Sequence, residues 1–195
     1  DDDGVRRITW PGVEVLSAEM PSGRTAILMR GDEPSHRWQD FVRDLLAEAA
    51  RHGCTDVIVL GALLADVPHT RDLPAAATSS NPDVRTSRDL GESEYEGPTG
   101  IVGVLETTAA AMGFATLGLW VSVPHYVSEI PCPKGSLALT RLLASLIDEP
   151  VLVPDLETDA QRWQEAVTEM AAESPEITGY VAQLEETRDA AESPD

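Results

Sequence analysis

The sequence predicts an α/β fold with a mainly parallel sheet. Three runs have strand character and consecutive apolar residues, which is typical of buried parallel strands: Thr25 to Met29, Asp56 to Leu63 and Ala115 to Val123. A segment with helical periodicity separates each run from the next, so strand, helix and strand follow in the span of a right-handed parallel crossover. The 195 residues are enough for one sizeable core.

The first elements are predicted from short patterns. The β-prone runs Val5 to Trp10 and Val13 to Glu19 flank Pro11-Gly12, a pair that suits a type II turn, and they predict a hairpin. The first helix is expected from Trp38 to Ala49, where apolar residues recur at three and four positions. Its apolar face is expected to be buried.

Two further helices are predicted before the last quarter of the chain. One begins at Gly97 or Thr99 and leads into the third strand. The other follows the proline-rich segment Ile130 to Gly135 and has apolar residues from Leu139 to Ile147. The alternation of strands and helices is the signature of an α/β protein.

The last quarter of the chain is acidic and predicts a pair of helices. From Asp148 to Asp195 there are 14 acidic and two basic residues. Apolar stripes mark both helices, and Ser174-Pro175 is a cap followed by a proline at the first helical position. The stripes either pack on each other or contact a partner or subunit, through Trp163, Val167, Tyr180 and Leu184. The predicted regions are an α/β core at 1–150, an acidic helical pair at 151–188 and a disordered tail at 189–195.

Composition excludes several classes of function. The net charge is −20, with Lys+Arg 14 and Asp+Glu 34, which disfavours nucleic acid and anionic membrane surfaces as partners. Cys54 and Cys132 are too few for a disulfide framework, and a reduced cytoplasmic location fits them. No run approaches the roughly 20 apolar residues that cross a bilayer. The chain begins Asp1-Asp2-Asp3 without a signal peptide or an initiator Met, which leaves open that it is a piece of a longer protein.

Chemistry-bearing side chains follow the second and third strands, where the ligand crevice of an open parallel sheet lies. Both segments contain a Pro-His pair. The candidate pocket residues are Asp66, His69, Thr70 and Arg71 in the first segment, and His125 and Tyr126 in the second. Since successive crossovers usually place their strands side by side, we expect both histidines to face one crevice. A structural role for each histidine is the alternative.

A third candidate is the turn Glu96-Gly97-Pro98-Thr99-Gly100 before a helix. Its backbone N–H groups suit an anion or a polar head, and Glu96 suits a general base if burial raises its pKa. A plain capping turn is the alternative. Because the spacing matches no phosphate loop, and no nucleophile or metalloprotease motif is present, no catalytic residue, cofactor or metal is predicted. Whether the protein is an enzyme stays open, and the sequence favours a protein without enzymatic activity.

Several long strings resemble actinobacterial members of the proteasome assembly chaperone family. They are GDEPSHRW (Gly31 to Trp38), GALLADVPHTR (Gly61 to Arg71), SEYEGPTGIVGVL (Ser93 to Leu105), LWVSVPHYVSEIPCPKGSLAL (Leu119 to Leu139), Trp163 and YVAQLEE (Tyr180 to Glu186). The resemblance implies a three-layer αβα, phosphorylase/hydrolase-like fold and a homo-oligomer, for which a trimer is our guess. It implies kinship with chaperones that help proteasome subunits assemble, and no assigned activity for this branch.

Two departures from the family pattern matter. Relatives usually begin with a further strand and helix bearing an aromatic-Asp-Gly-Trp pattern, which this chain lacks. Archaeal relatives can end in a hydrophobic-Tyr-any tail that docks into proteasome pockets, whereas this chain ends Glu192-Ser193-Pro194-Asp195. The docking mechanism is therefore not expected to transfer.

Two hypotheses of function follow. The first is a cytoplasmic, homo-oligomeric interaction or assembly module without chemistry of its own. The alternative is an enzyme or small-molecule binder that holds a phosphate-like or nucleoside-like ligand in the crevice at the strand ends, by analogy of fold alone.

Overall fold

The computed structural model describes residues 12–91 and 100–192. The strands are Val13–Glu19 (β1), Thr25–Gly31 (β2), Asp56–Ala65 (β3), Ala75–Thr78 (β4) and Ala115–Pro124 (β5). The helices are Trp38–Arg51 (α1), Pro82–Arg88 (α2), Ile101–Ala111 (α3), Pro133–Ile147 (α4), Pro154–Ala172 (α5) and Pro175–Glu192 (α6). Within these ranges, no helix has both the length and the apolar character needed to cross a membrane.

The central sheet has the strand order β3-β5-β4. Strands β3 and β5 are parallel and fully in register, from Asp56 opposite Ala115 to Ala65 opposite Pro124. The predicted crossover through α3 is therefore confirmed. Strand β4 is antiparallel to β5, so the sheet is mixed. The sequence did not predict β4, because its residues are mostly alanine, which has low strand propensity.

The N-terminal strands form a separate two-stranded sheet. β1 and β2 are antiparallel, and the turn between them closes at Met20 and Arg24, with Gly23 at a φ of 83° that favours glycine. The expected crossover from β2 to β3 is wrong, because this turn pairs β2 with β1 instead. Leu28 of β2 is 53% exposed, so the strand is not buried as predicted. The predicted partner run Val5 to Trp10 lies outside the described residues.

Helices cover both faces of the central strand. An added Cβ on Gly118 of β5 would lie 2.5 Å from Oε2 of Glu106 on α3. An added Cβ on Gly135 of α4 would contact the side chains of Val121 and Val123. These two residues are an odd number of positions from Gly118, so they lie on the other face of β5. Helices α3 and α4 thus pack on opposite faces. The main apolar cluster contains Val42, Leu46, Ala49, Ala109 and Phe114, from α1, α3 and the residue that precedes β5.

Helix α5 packs on α4, and α6 packs on α5. Their apolar stripes are interior: Trp163 is 7% exposed, Val167 1% and Leu184 9%. In this structure these three residues are core residues, and their contact with a partner or subunit stays a prediction. Helix α6 continues to Glu192, beyond the predicted end at residue 188. The contacts of Asp189 described below give the physical reason for this correction.

Candidate functional site

The two predicted loop segments meet at the carboxyl ends of β3 and β5. Because Ala65 lies opposite Pro124, the chain leaves both strands at the same edge of the sheet. Oδ1 of Asp66 lies 3.2 Å from Nδ1 of His125. The third candidate was the turn before α3. Its residues Glu96, Gly97 and Thr99 lie outside the described residues, and Gly100 is the N-cap of α3.

His69 is the centre of a buried hydrogen-bond cluster. It is 1% exposed, and the hydroxyl of Tyr126 accepts its backbone N–H at 2.9 Å and lies 2.8 Å from Nδ1. Nε2 lies 3.1 Å from Oγ1 of Thr168. The Thr168 hydroxyl donates its hydrogen to the Gln164 carbonyl at 2.9 Å, so Nε2–H must be the donor to Thr168. Tyr126 then donates to Nδ1, and both ring nitrogens of a neutral imidazole are satisfied.

The protonation state of His69 follows from its surroundings. Burial lowers the pKa of His69, the nearby Lys134 ammonium lowers it further, and Glu185 opposes the shift. Burial also raises the pKa of the Tyr126 phenol. Neutral imidazole and neutral phenol are the forms that the hydrogen-bond geometry requires. The contacts of His69 therefore match the structural alternative stated for it above.

Lys134 joins this cluster from the first turn of α4. Its ammonium donates to the backbone carbonyl of His69 at 2.8 Å and to Oε1 of Gln164 at 2.5 Å. It is the one lysine of the sequence, and burial lowers its pKa. A cation at a helix N-terminus is disfavoured by the helix dipole, so these contacts must compensate. We call His69, Tyr126, Lys134, Gln164 and Thr168 the His69 cluster.

Thr70 and Arg71, the next residues along the loop, bind carboxylates of α6. Nε and Nη2 of Arg71 each donate to Asp189 at 2.8 Å, in a bidentate pair, and Nη1 donates to Glu185 at 3.1 Å. The hydroxyl of Thr70 also donates to Glu185. This pairing raises the pKa of Arg71 and lowers that of Asp189. We call these four residues the Arg71 cluster.

An aromatic group lies at the outer side of the His69 cluster. The rings of His125, Tyr126 and Tyr180 pack edge to face, with centroids 5.5 to 6.0 Å apart. The Tyr180 hydroxyl donates to Asp66 at 2.9 Å, and burial followed by the Asp66 carboxylate raises the pKa of Tyr180. Tyr180, one of the residues predicted for partner contact, thus contacts both loop segments.

The structure brings together six of the predicted pocket residues, namely Asp66, His69, Thr70, Arg71, His125 and Tyr126. Sequence reasoning missed the side chains that cover them: Lys134, Gln164, Thr168, Glu185 and Asp189. The available signals were a lone lysine in a proline-rich segment and two acids one helical turn apart on α6. Among residues 12–91 and 100–192, no group of three His, Cys, Asp or Glu side chains is suited to a metal ion.

A model of the PAC2 family matches residues 1–171. The chain belongs to the PAC2 family. A PAC2 family protein from Streptomyces avermitilis has a similar crystal structure, with 44% sequence identity, a TM-score of 0.83, and coverage of 92% of this chain and 77% of that one. A proteasome-assembly chaperone homologue from Mycobacterium tuberculosis shares 39% identity, with a TM-score of 0.79 and the same coverage of 92% and 77%.

A more distant relative shows the fold alone. The archaeal proteasome activator PbaB of Pyrococcus furiosus is 14% identical, with a TM-score of 0.70 and coverage of 87% of this chain and 75% of that one. A search of the curated proteins finds no match to the chain. The family model and the two structures of 44% and 39% identity confirm the expected kinship with proteasome assembly chaperones at the level of the PAC2 family.

A second polar site of this PAC2 chain was not predicted from the sequence. Glu106 of α3 is 6% exposed and accepts hydrogen bonds from the backbone N–H of Ser80 at 2.8 Å and from its hydroxyl at 3.0 Å. Ser80 also lines an open cavity of about 470 Å³, together with Asn81, Pro82, Asp83, Thr107, Ala110 and Ala111. Sequence reasoning missed Glu106 because it is the one charged residue of a mostly apolar helix.

Proposed function

We propose that this PAC2 protein is a cytoplasmic, homo-oligomeric interaction module that contacts other proteins as an assembly chaperone does, without chemistry of its own. The 39% identity to a proteasome-assembly chaperone homologue supports the proposal. We take a trimer as the working number of subunits. The observation that carries the proposal is a set of large apolar side chains left on the surface.

These apolar side chains lie in two places. On the hairpin, Leu16 is 47% exposed and Leu28 is 53% exposed, and they are register partners, so they share one face. On β3, Leu60 is 49% and Leu64 60% exposed, at positions of equal parity. Large apolar side chains exposed side by side on one face of a strand are typical of protein contact sites. They support contact with another protein surface.

The contacts of the predicted crevice favour the same proposal over the alternative of a small-molecule enzyme. Both ring nitrogens of His69 are bonded within the chain, and Arg71 is engaged by two carboxylates. A polar ligand at His69 would have to displace the hydroxyls of Tyr126 and Thr168. The alternative predicts that phosphate or a nucleoside raises the melting temperature, which a thermal-shift screen measures.

Within the proposal, the finer features of the fold are those that the family resemblance implies. Helices α3 and α4 on opposite faces of β5 would be two layers of a three-layer, phosphorylase/hydrolase-like core. Helices α5 and α6 would form the acidic C-terminal pair.

Light scattering after size exclusion tests the oligomer. We expect the chain to form an oligomer that Leu16→Glu with Leu28→Glu dissociates, because charge at an apolar contact is costly to desolvate. Ser17→Glu is the matched control, since Ser17 is exposed on the opposite face of the same strand. A monomeric wild-type chain, or dissociation by Ser17→Glu alone, would contradict the proposal.

A further inference from the structure

We infer that Thr70 and Arg71 form a receptor for an acidic helical segment of a partner protein, and that Glu185 and Asp189 of this chain occupy the receptor until the partner binds. The inference rests on the proposed interaction function and deepens it, because it names the chemistry of the partner. The partner would present two carboxylates one helical turn apart.

The donor geometry fits that ligand. The guanidinium of Arg71 uses one edge for both oxygens of Asp189 and its remaining nitrogen for Glu185. The hydroxyl of Thr70 adds a second donor to Glu185. Residues at positions i and i+4 of a helix lie on one side of it, so one guanidinium and one hydroxyl can bind both carboxylates. The four donor atoms thus recognise a spacing as well as a charge.

The receptor loop is held firmly, whatever occupies it. His69 lies directly before Thr70. Its backbone N–H donates a hydrogen bond to the Tyr126 hydroxyl, and its carbonyl accepts one from the Lys134 ammonium. Its ring is fixed between Tyr126 and Thr168. A receptor that is already ordered loses little conformational entropy when it binds a ligand.

The internal ligand is held much less firmly. Val181 and Leu184 fix the first part of α6, at 7% and 9% exposure. Among residues 185–191, Glu185 and Arg188 are half-buried and the other side chains are exposed, so this part of α6 buries less than Val181 and Leu184 do. Asp189 also lies in the last turn of the helix, where the dipole disfavours negative charge. The last turns of α6 can therefore unwind from the receptor at low cost while the rest of the helix stays in place.

The overall charge of −20 does not exclude an acidic partner. Repulsion between exposed charges is screened beyond about 8 Å at physiological ionic strength, whereas the contacts with Arg71 are direct. Binding should therefore be measured at physiological salt, where the distant acids contribute least.

The test uses the full chain and a fluorescent peptide with the sequence of residues 177–192. The variant Glu185→Gln with Asp189→Asn empties the receptor of internal carboxylates. We expect it to bind the peptide about tenfold more tightly than the wild-type chain does, because internal occupancy reduces the apparent affinity. Asp189→Asn alone, which keeps Glu185 on Thr70, is expected to give an intermediate affinity.

Two controls decide the assignment. Adding Arg71→Gln to the double variant should abolish the gain in peptide affinity. A peptide with Gln and Asn in place of the two acidic residues should bind none of the variants. Equal affinity of the wild-type chain and the double variant, or tight binding that survives Arg71→Gln, would overturn the inference. Peptide binding is read by fluorescence anisotropy and the oligomer by light scattering, so either proposal can fail without the other. Circular dichroism confirms that each variant remains folded.

Discussion

The His69 cluster and the Arg71 cluster lie next to each other on one loop and join the same strand ends to the C-terminal helices by opposite means. His69 is 1% exposed, uncharged and bonded at both ring nitrogens. The Arg71 side chain is 36% exposed and charged, and it forms ion pairs with Glu185 and Asp189. Burial makes each hydrogen bond costly to lose, whereas water replaces an exposed ion pair at little cost. The His69 cluster fixes α5, whereas the Arg71 cluster lets the end of α6 exchange with an acidic segment of a partner.

If apolar packing, and not the Arg71 cluster, anchors α6, then Leu184→Ala should have the largest effect on stability. Leu184 is buried between α6 and α5. We expect a loss of about 2–5 kcal/mol in the free energy of unfolding, measured by urea denaturation. The exposed Met170 on α5 is the control, and Met170→Ala should lose far less. Equal losses would mean that α6 is held by its ionic contacts.

The hydrogen bond between His69 and Thr168 should matter next. Thr168→Val keeps the shape of the side chain and leaves the buried Nε2–H without an acceptor, which costs about 1–3 kcal/mol. Thr158→Val is a matched control, because the exposed Thr158 makes the same bond to its preceding turn on the same helix. A loss as large in Thr158→Val would show that the helix, and not His69, is affected.

The pH dependence of stability should identify the neutral His69. Its pKa is lower in the folded chain than the ordinary 6.5, so the unfolded chain binds more protons as the pH falls. The contribution of His69 is therefore present above pH 6.5 and declines as the pH falls from there towards the lowered pKa. We expect His69→Gln to flatten this part of the curve in urea titrations. An unchanged slope would contradict the assignment.

The smallest effect on global stability is expected for Arg71→Gln, since exposed ion pairs are screened by water and salt. The effect should be local instead. Hydrogen exchange of the amides in residues 185–191 should accelerate, while amides of α5 keep their protection. A large loss of global stability would break the contrast between the two clusters.

Much of this architecture could be predicted from the sequence, since apolar runs identify β3 and β5 and helical periodicity identifies α1. The contacts of Asp66 with His125 and of His69 with Tyr126 are those expected of two parallel strands that end side by side. The pairing of β2 could not be predicted, because an apolar run does not say which neighbour it joins.

The covering of the crevice could not be predicted either. It depends on contacts far apart in the chain, such as Thr70 with Glu185 and His69 with Thr168. Acids on a helix are usually solvated, so the spacing of Glu185 and Asp189 acquires meaning only once Arg71 is placed beside it.

The position of Lys134 has a practical consequence. As the one lysine of the sequence, it carries the one side-chain amine, and that amine is committed to the His69 carbonyl and to Gln164. Acylating reagents that attack free amines should therefore label this half-buried side chain more slowly while α5 covers it than after α5 has moved away from the loop. The rate at which Lys134 is acylated therefore measures how often α5 separates from the loop that carries His69.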